Sequence, residues 1–136
     1  ETGAEATPIT DNRSKYARGK ENLEILSGRP PTGPQRGYAA FAPVIEIFLK
    51  EHLFADIFER DVLTFAEREL VTISVLGSIG GVEPMLRSHL SICLNLGLTP
   101  EQLNEFVGII KATIGEQEAM QAQTVLEQVL QNRQSE

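Results

Sequence analysis

The chain has 136 residues, 41% apolar and 23% charged, which fits one globular domain whose core needs neither disulfide nor metal. The net charge of −7 is uneven: residues 1–50 carry seven Lys/Arg against six Asp/Glu (+1), and residues 51–136 carry five against thirteen (−8). An acidic main body argues against nucleic acid as a partner, and no apolar run reaches the roughly 20 residues of a membrane helix.

The chain opens on Glu1 rather than Met. A cleaved export signal or a shortened chain accounts for this equally, so cytoplasmic and exported locations both stay open. Residues 1–10 read as a loose polar arm, and 11–136 as a single helical domain. From Asp11 to Leu26 the pattern is helical, with Tyr16, Leu23 and Leu26 on one face. Gly19 should weaken this helix by about 1 kcal/mol, and Gly28 stops it. Arg29-Pro30-Pro31-Thr32-Gly33-Pro34 is a stiff linker. A second helix starts near Pro43 and is strongly apolar. A short segment follows, Leu53 to Phe58, ending in Glu59-Arg60-Asp61.

Thr64-Phe65-Ala66-Glu67 is a capping box, opening a helix from Phe65 to Ile79. That helix is apolar nearly all round, which places it mid-domain or at a subunit contact. Gly80-Gly81 ends it. Pro84 suits the first turn of the next helix, which runs to Leu96 with Gly97 as its stop. Thr99-Pro100-Glu101-Gln102 is a second capping box, for a helix reaching Ile114. Gly115 breaks the pattern, and a last helix spans Glu116 to Gln131. No alternating strand pattern appears. The fold class is therefore all-α: six or so helices joined by short loops, with a four-helix bundle as the rival.

His89 is the first candidate for chemistry. Met85 and Leu86 lie one turn before it, and Ile92 and Cys93 one turn after, so the imidazole sits in an apolar stripe. It is either a proton carrier or a structural histidine bonded to a carbonyl. Glu69 shares a stripe with Phe65, Thr72, Ile73 and Leu76. A carboxylate there requires a partner, which Arg68, Arg87 or His89 can supply if the two helices pack as an antiparallel hairpin. Cys93 can pair with His89 as a thiolate, or be a small buried apolar residue. Arg60, Arg68, Arg29 and Arg36 are candidate clamps for a substrate carboxylate, though most surface arginines are solvated charges. His52 reads as exposed or capping. Phosphate-binding glycine loops, His-Glu-x-x-His, Gly-x-Ser-x-Gly and Cys-x-x-Cys are all missing. One cysteine and two histidines give no metal-ligand pattern.

Several blocks, in order, resemble the carboxymuconolactone decarboxylase family. They are Phe54-Ala55-Asp56-Ile57-Phe58-Glu59-Arg60, then Glu67-Arg68-Glu69-Leu70-Val71-Thr72-Ile73, then Leu86-Arg87-Ser88-His89, then Gly97-Leu98-Thr99-Pro100-Glu101-Gln102. Lys15-Tyr16-Ala17-Arg18-Gly19 resembles the family's N-terminal helix. The likeness covers about residues 14–115. It implies an all-helical fold of the alkylhydroperoxidase-D type, assembled as trimers or hexamers, in bacterial small-molecule metabolism. The peroxidase branch of that fold uses a Cys-x-x-Cys ahead of the histidine. Val82 and Met85 stand there, so the chain is similar to the decarboxylase branch. That resemblance implies a cofactor-free lyase or isomerase acting on a small carboxylated lactone or related acid. His89 would be the proton donor, Glu69 its partner, and Arg60 or Arg68 the carboxylate anchor. A non-catalytic ligand-binding oligomer is the alternative, and a peroxidase working through Cys93 a third. The sequence departs from the family pattern at Ala55, at Asp61-Val62, and at Thr113-Ile114-Gly115-Glu116-Gln117, where an aromatic residue is customary.

Overall fold

A computed structural model describes residues 3–28, 30 and 37–134. Among these residues the chain is all-α, with seven α-helices, one π-helical stretch and no strand. It divides into two compact units, Glu1–Phe65 and Ala66–Glu136.

The first unit is built around α1 (Lys15–Ser27). Ser14 caps its start, the side chain accepting from the Ala17 N–H at 3.2 Å. Gly28 ends it at φ 72°, a left-handed conformation open to glycine. The helix begins four residues later than the apolar pattern suggested, because Ser14 rather than Asp11 satisfies the open N–H groups. The short helices α2 (Tyr38–Phe41) and α3 (Pro43–Phe48) follow. The chain then continues straight into a π-helix, Leu49–Ile57. Sequence pattern suggested a separate segment from Leu53. Instead the wider π turns carry the helix through, as in the Phe58 N–H donating to Leu53 O five residues back (3.0 Å).

The helix α1 lies against this π-helix with almost no clearance. A Cβ at Gly19 would stand 1.7 Å from the Lys50 carbonyl oxygen. Glycine here allows two backbones to touch, so it is a packing requirement rather than a weak point. Asn22 donates to the Phe54 carbonyl at 2.7 Å, and Arg18 Nε to Glu59 at 2.9 Å. Leu26, Phe54, Ala55 and Phe58 fill the space between. Thr7, in the N-terminal arm, donates its N–H to Asp61 at 2.9 Å. That bond holds the Asp61 carboxyl below its usual range.

The second unit comprises α4 (Phe65–Ile79, its first residue the last of unit one), α5 (Glu83–Asn95), α6 (Pro100–Thr113) and α7 (Glu116–Gln134). The expected box at Thr99 is formed in both directions: the Gln102 N–H donates to Thr99 Oγ1 (3.2 Å), and the Thr99 N–H to Gln102 Oε1 (2.9 Å). Gly97, at φ 92°, turns the chain from α5 toward α6. The core draws on all four helices, with Ile73, Leu90, Leu103 and Leu126 fully buried. The helix α7 is tied to α5 by Arg133 donating to the Ser91 carbonyl (3.0 Å) and by Arg87 bonding to Gln128.

Candidate functional site

Helices α4 and α5 bring Glu69 and His89 together. Glu69 Oε2 lies 2.7 Å from His89 Nδ1. The carboxylate side chain is fully buried, while the imidazole is 21% exposed. Both positions follow from periodicity: Glu69 sits one turn before Ile73, and His89 beside Leu86 and Leu90, on faces that the core occupies. The other Glu69 oxygen, Oε1, is buried and has no hydrogen-bond partner among the described residues. An unmet buried acceptor of this kind costs about 1–3 kcal/mol, an expense that site residues tolerate more often than core residues do.

The pair fixes the direction of the imidazole. With Nδ1 engaged by a buried carboxylate, Nε2 is the nitrogen left to exchange a proton with a ligand.

Cys93 is fully buried one turn beyond His89. Burial, helped by the nearby Glu69 charge, pushes its thiol up to about 12. A thiol held protonated is a poor nucleophile. Arg68 is half-buried on α4 immediately before Glu69, so its side chain leaves the helix about 100° round from the carboxylate. Arg60 belongs to the first unit, where it lines a cavity of about 480 Å³ with Asn22, Phe58 and Phe65. Arg29 and Arg36 lie outside the described residues. His52 is exposed and bonds Asp56 at 3.0 Å through Nδ1.

Sequence reasoning missed a second buried ionic cluster. Lys50 is only 4% exposed. Its ammonium donates to Tyr16 Oη (3.1 Å) and to Glu46, and lies 4.8 Å from the Tyr16 ring centre. Burial pulls the Lys50 pKa down, but the bonds to Glu46 and Tyr16 outweigh it and the net shift is up. Glu46 at i−4 was a visible signal; Tyr16, 34 residues away, was not. A cavity of about 620 Å³ was missed as well. It runs beside α4 and α6, with Leu70, Ser74, Leu96, Phe106 and Ile109 among its walls. Neither His89 nor Glu69 lines it. No group of three or more His, Cys, Asp and Glu among the described residues is placed to hold a metal ion, and no described helix is long and apolar enough to cross a membrane.

The sequence matches the model of the carboxymuconolactone decarboxylase family over residues 44–128. The chain belongs to that family. The matched span contains both Glu69 and His89, and it runs from α3 into α7. A curated relative, the 4-carboxymuconolactone decarboxylase of Acinetobacter baylyi, is 29% identical over 98 residues, covering 71% of this chain and 72% of the relative.

Proposed function

We propose that this member of the carboxymuconolactone decarboxylase family is a cofactor-free carboxy-lyase acting on a small carboxylated lactone or a related acid. The observation carrying this reading is the buried Glu69 carboxylate set 2.7 Å behind a partly exposed imidazole. Loss of CO₂ from such a substrate leaves the electron pair delocalised onto the lactone carbonyl as a dienolate. The carbonyl is the electron sink, so no added cofactor is demanded. What the reaction needs is a proton delivered to carbon. His89 Nε2 is the donor, and Glu69, bonded to Nδ1, orients the ring. Arg68, on the same helix as Glu69, is assigned to the substrate's carboxylate, which a guanidinium fork matches.

His89→Gln tests this directly. Glutamine keeps an N–H for Glu69, so the fold should persist, but it cannot transfer a proton at neutral pH. Release of CO₂ from a panel of carboxylated lactones should fall at least ~100-fold, with circular dichroism unchanged. Turnover that survives the substitution would overturn the assignment. Binding of those lactones by the unmodified chain without any CO₂ release would point instead to a ligand-binding role.

A further inference from the structure

The cavity of about 480 Å³ that holds Arg60 lies wholly within the first unit, and its walls include neither Glu69 nor His89. Its size falls within the roughly 300–1,000 Å³ of small-molecule sites. Phe58 and Phe65 meet there, with ring centres 5.7 Å apart and planes tilted by 51°. Phe58 is buried and Phe65 half-buried, so the two rings form an apolar floor that a ligand can reach. Arg60 is the one cation among the described wall residues, and it is exposed. Glu59 and Asp61 also line the cavity, but each is held from another side. Both Glu59 oxygens accept from Arg18 Nε, at 2.9 and 3.0 Å. Asp61 Oδ1 accepts from the Thr7 N–H at 2.9 Å, which keeps that carboxyl below its usual range. The N-terminal arm supplies the remaining wall through Ile9, 46% exposed. It is fastened on either side of Ile9: by the Thr7 N–H on Asp61, and by Arg18 Nη1, which donates to the carbonyls of Asp11 (3.3 Å) and Arg13. Apart from Ala6, residues 3–14 are exposed, so little apolar burial holds the arm down.

We propose that this cavity binds a small ring-bearing monocarboxylate, with Arg60 holding the carboxylate, the Phe58–Phe65 floor holding the ring, and the arm lying across both as a strap. The floor selects the body of the ligand, because two tilted aromatic rings pack a third ring well. The guanidinium selects its head, since a planar fork matches a carboxylate. Arg60 also interacts within the chain, and the five donors of a guanidinium serve a ligand as well. A cationic ligand is disfavoured: it would face Arg60, while the two wall acids already accept from Arg18 and Thr7. The strap selects the order of events. One backbone hydrogen bond, Thr7 to Asp61, fastens the arm beyond Ile9. Breaking it opens the cavity without disturbing α1 or the π-helix, and remaking it lays Ile9 over the bound ring.

The chain contains no Trp, so Ile9→Trp places a lone fluorescent reporter in the strap. Benzoate should shift its emission saturably. Benzyl alcohol and benzylamine carry the same ring without the carboxylate and should bind at least ~10-fold more weakly. Arg60→Gln, made in the reporter chain, should remove that preference with circular dichroism unchanged. Thr7→Pro deletes the N–H that fastens the strap and should weaken benzoate about fivefold. The unmodified chain checks the reporter: the backbone amide signals of Ile9, Asn22 and Phe65 should move in its NMR spectrum as benzoate is added. Absence of a saturable response in both proteins overturns the site. So does benzylamine binding as tightly as benzoate, or an Arg60→Gln protein that keeps the preference. Benzoate affinity unaltered by Thr7→Pro overturns the strap. Every readout is of binding rather than CO₂ release, so the outcome is separate from that of the lyase assignment.

Discussion

Gly19→Ala pits two effects of opposite sign against each other. Within a helix, alanine is favoured over glycine by about 1 kcal/mol, so α1 taken alone would gain stability. Packing argues the other way. The added Cβ would stand 1.7 Å from Lys50 O and 2.6 Å from Lys50 C. Ordinary carbon–oxygen contact needs more than 3 Å, so α1 must retreat from the π-helix by over an ångström. The obstacle is backbone and cannot rotate aside. Overpacking of this kind costs about 3 kcal/mol or more, leaving a net loss of about 2 kcal/mol after the propensity gain. Gly108→Ala is the matched control. It is exposed in the middle of α6 with nothing within 4 Å of the new Cβ, so the propensity gain of about 1 kcal/mol should appear alone. Urea unfolding followed by circular dichroism measures both. A Gly19→Ala protein as stable as its parent, or a Gly108→Ala protein equally damaged, would refute the reasoning.

Cys93 should resist thiol reagents at pH 8 in the native chain and react fully once it is unfolded. Its folded pKa is raised from 9.0 to about 12. Between those values the unfolded chain has released a proton that the folded chain keeps, so stability is unaffected below about pH 9 and falls as pH rises toward 12. The full span is worth on the order of 4 kcal/mol, and Cys93→Ala should flatten this alkaline slope. An equal slope in that variant would contradict the assignment. Glu46→Ala strips the buried Lys50 ammonium of its carboxylate and should cost about 3 kcal/mol, whereas Lys50→Met removes the charge itself and should cost less. The order of the two denaturation midpoints decides.

The helical skeleton was legible because its punctuation is chemical and local. Proline at 100, the Thr99 box, and glycines at 28 and 97 mark boundaries whatever the tertiary fold. The helix over 65–79 appears with the limits its pattern gave. The meeting of Glu69 and His89 was legible for a related reason: each breaks an apolar stripe, and buried ionisable groups must find partners. What stayed hidden depends on residues far apart in sequence. Gly19 read as a flaw until Lys50 O was found against it. The burial of Lys50 depends on Tyr16, 34 residues away in the chain. The π-helical run from Leu49 has no sequence signature, since its turns differ from α turns only in hydrogen-bond register. The cavity beside α4 and α6 was invisible because apolar side chains announce burial, and here Leu70 and Ile109 in its walls stay open.

Decarboxylation in D₂O tests the central claim most directly. If His89 delivers the proton, product formed from a carboxylated lactone carries deuterium at a single stereochemical face of the receiving carbon, and His89→Gln abolishes its formation. Product released at the parent rate by His89→Gln, with the same labelling, would contradict the account.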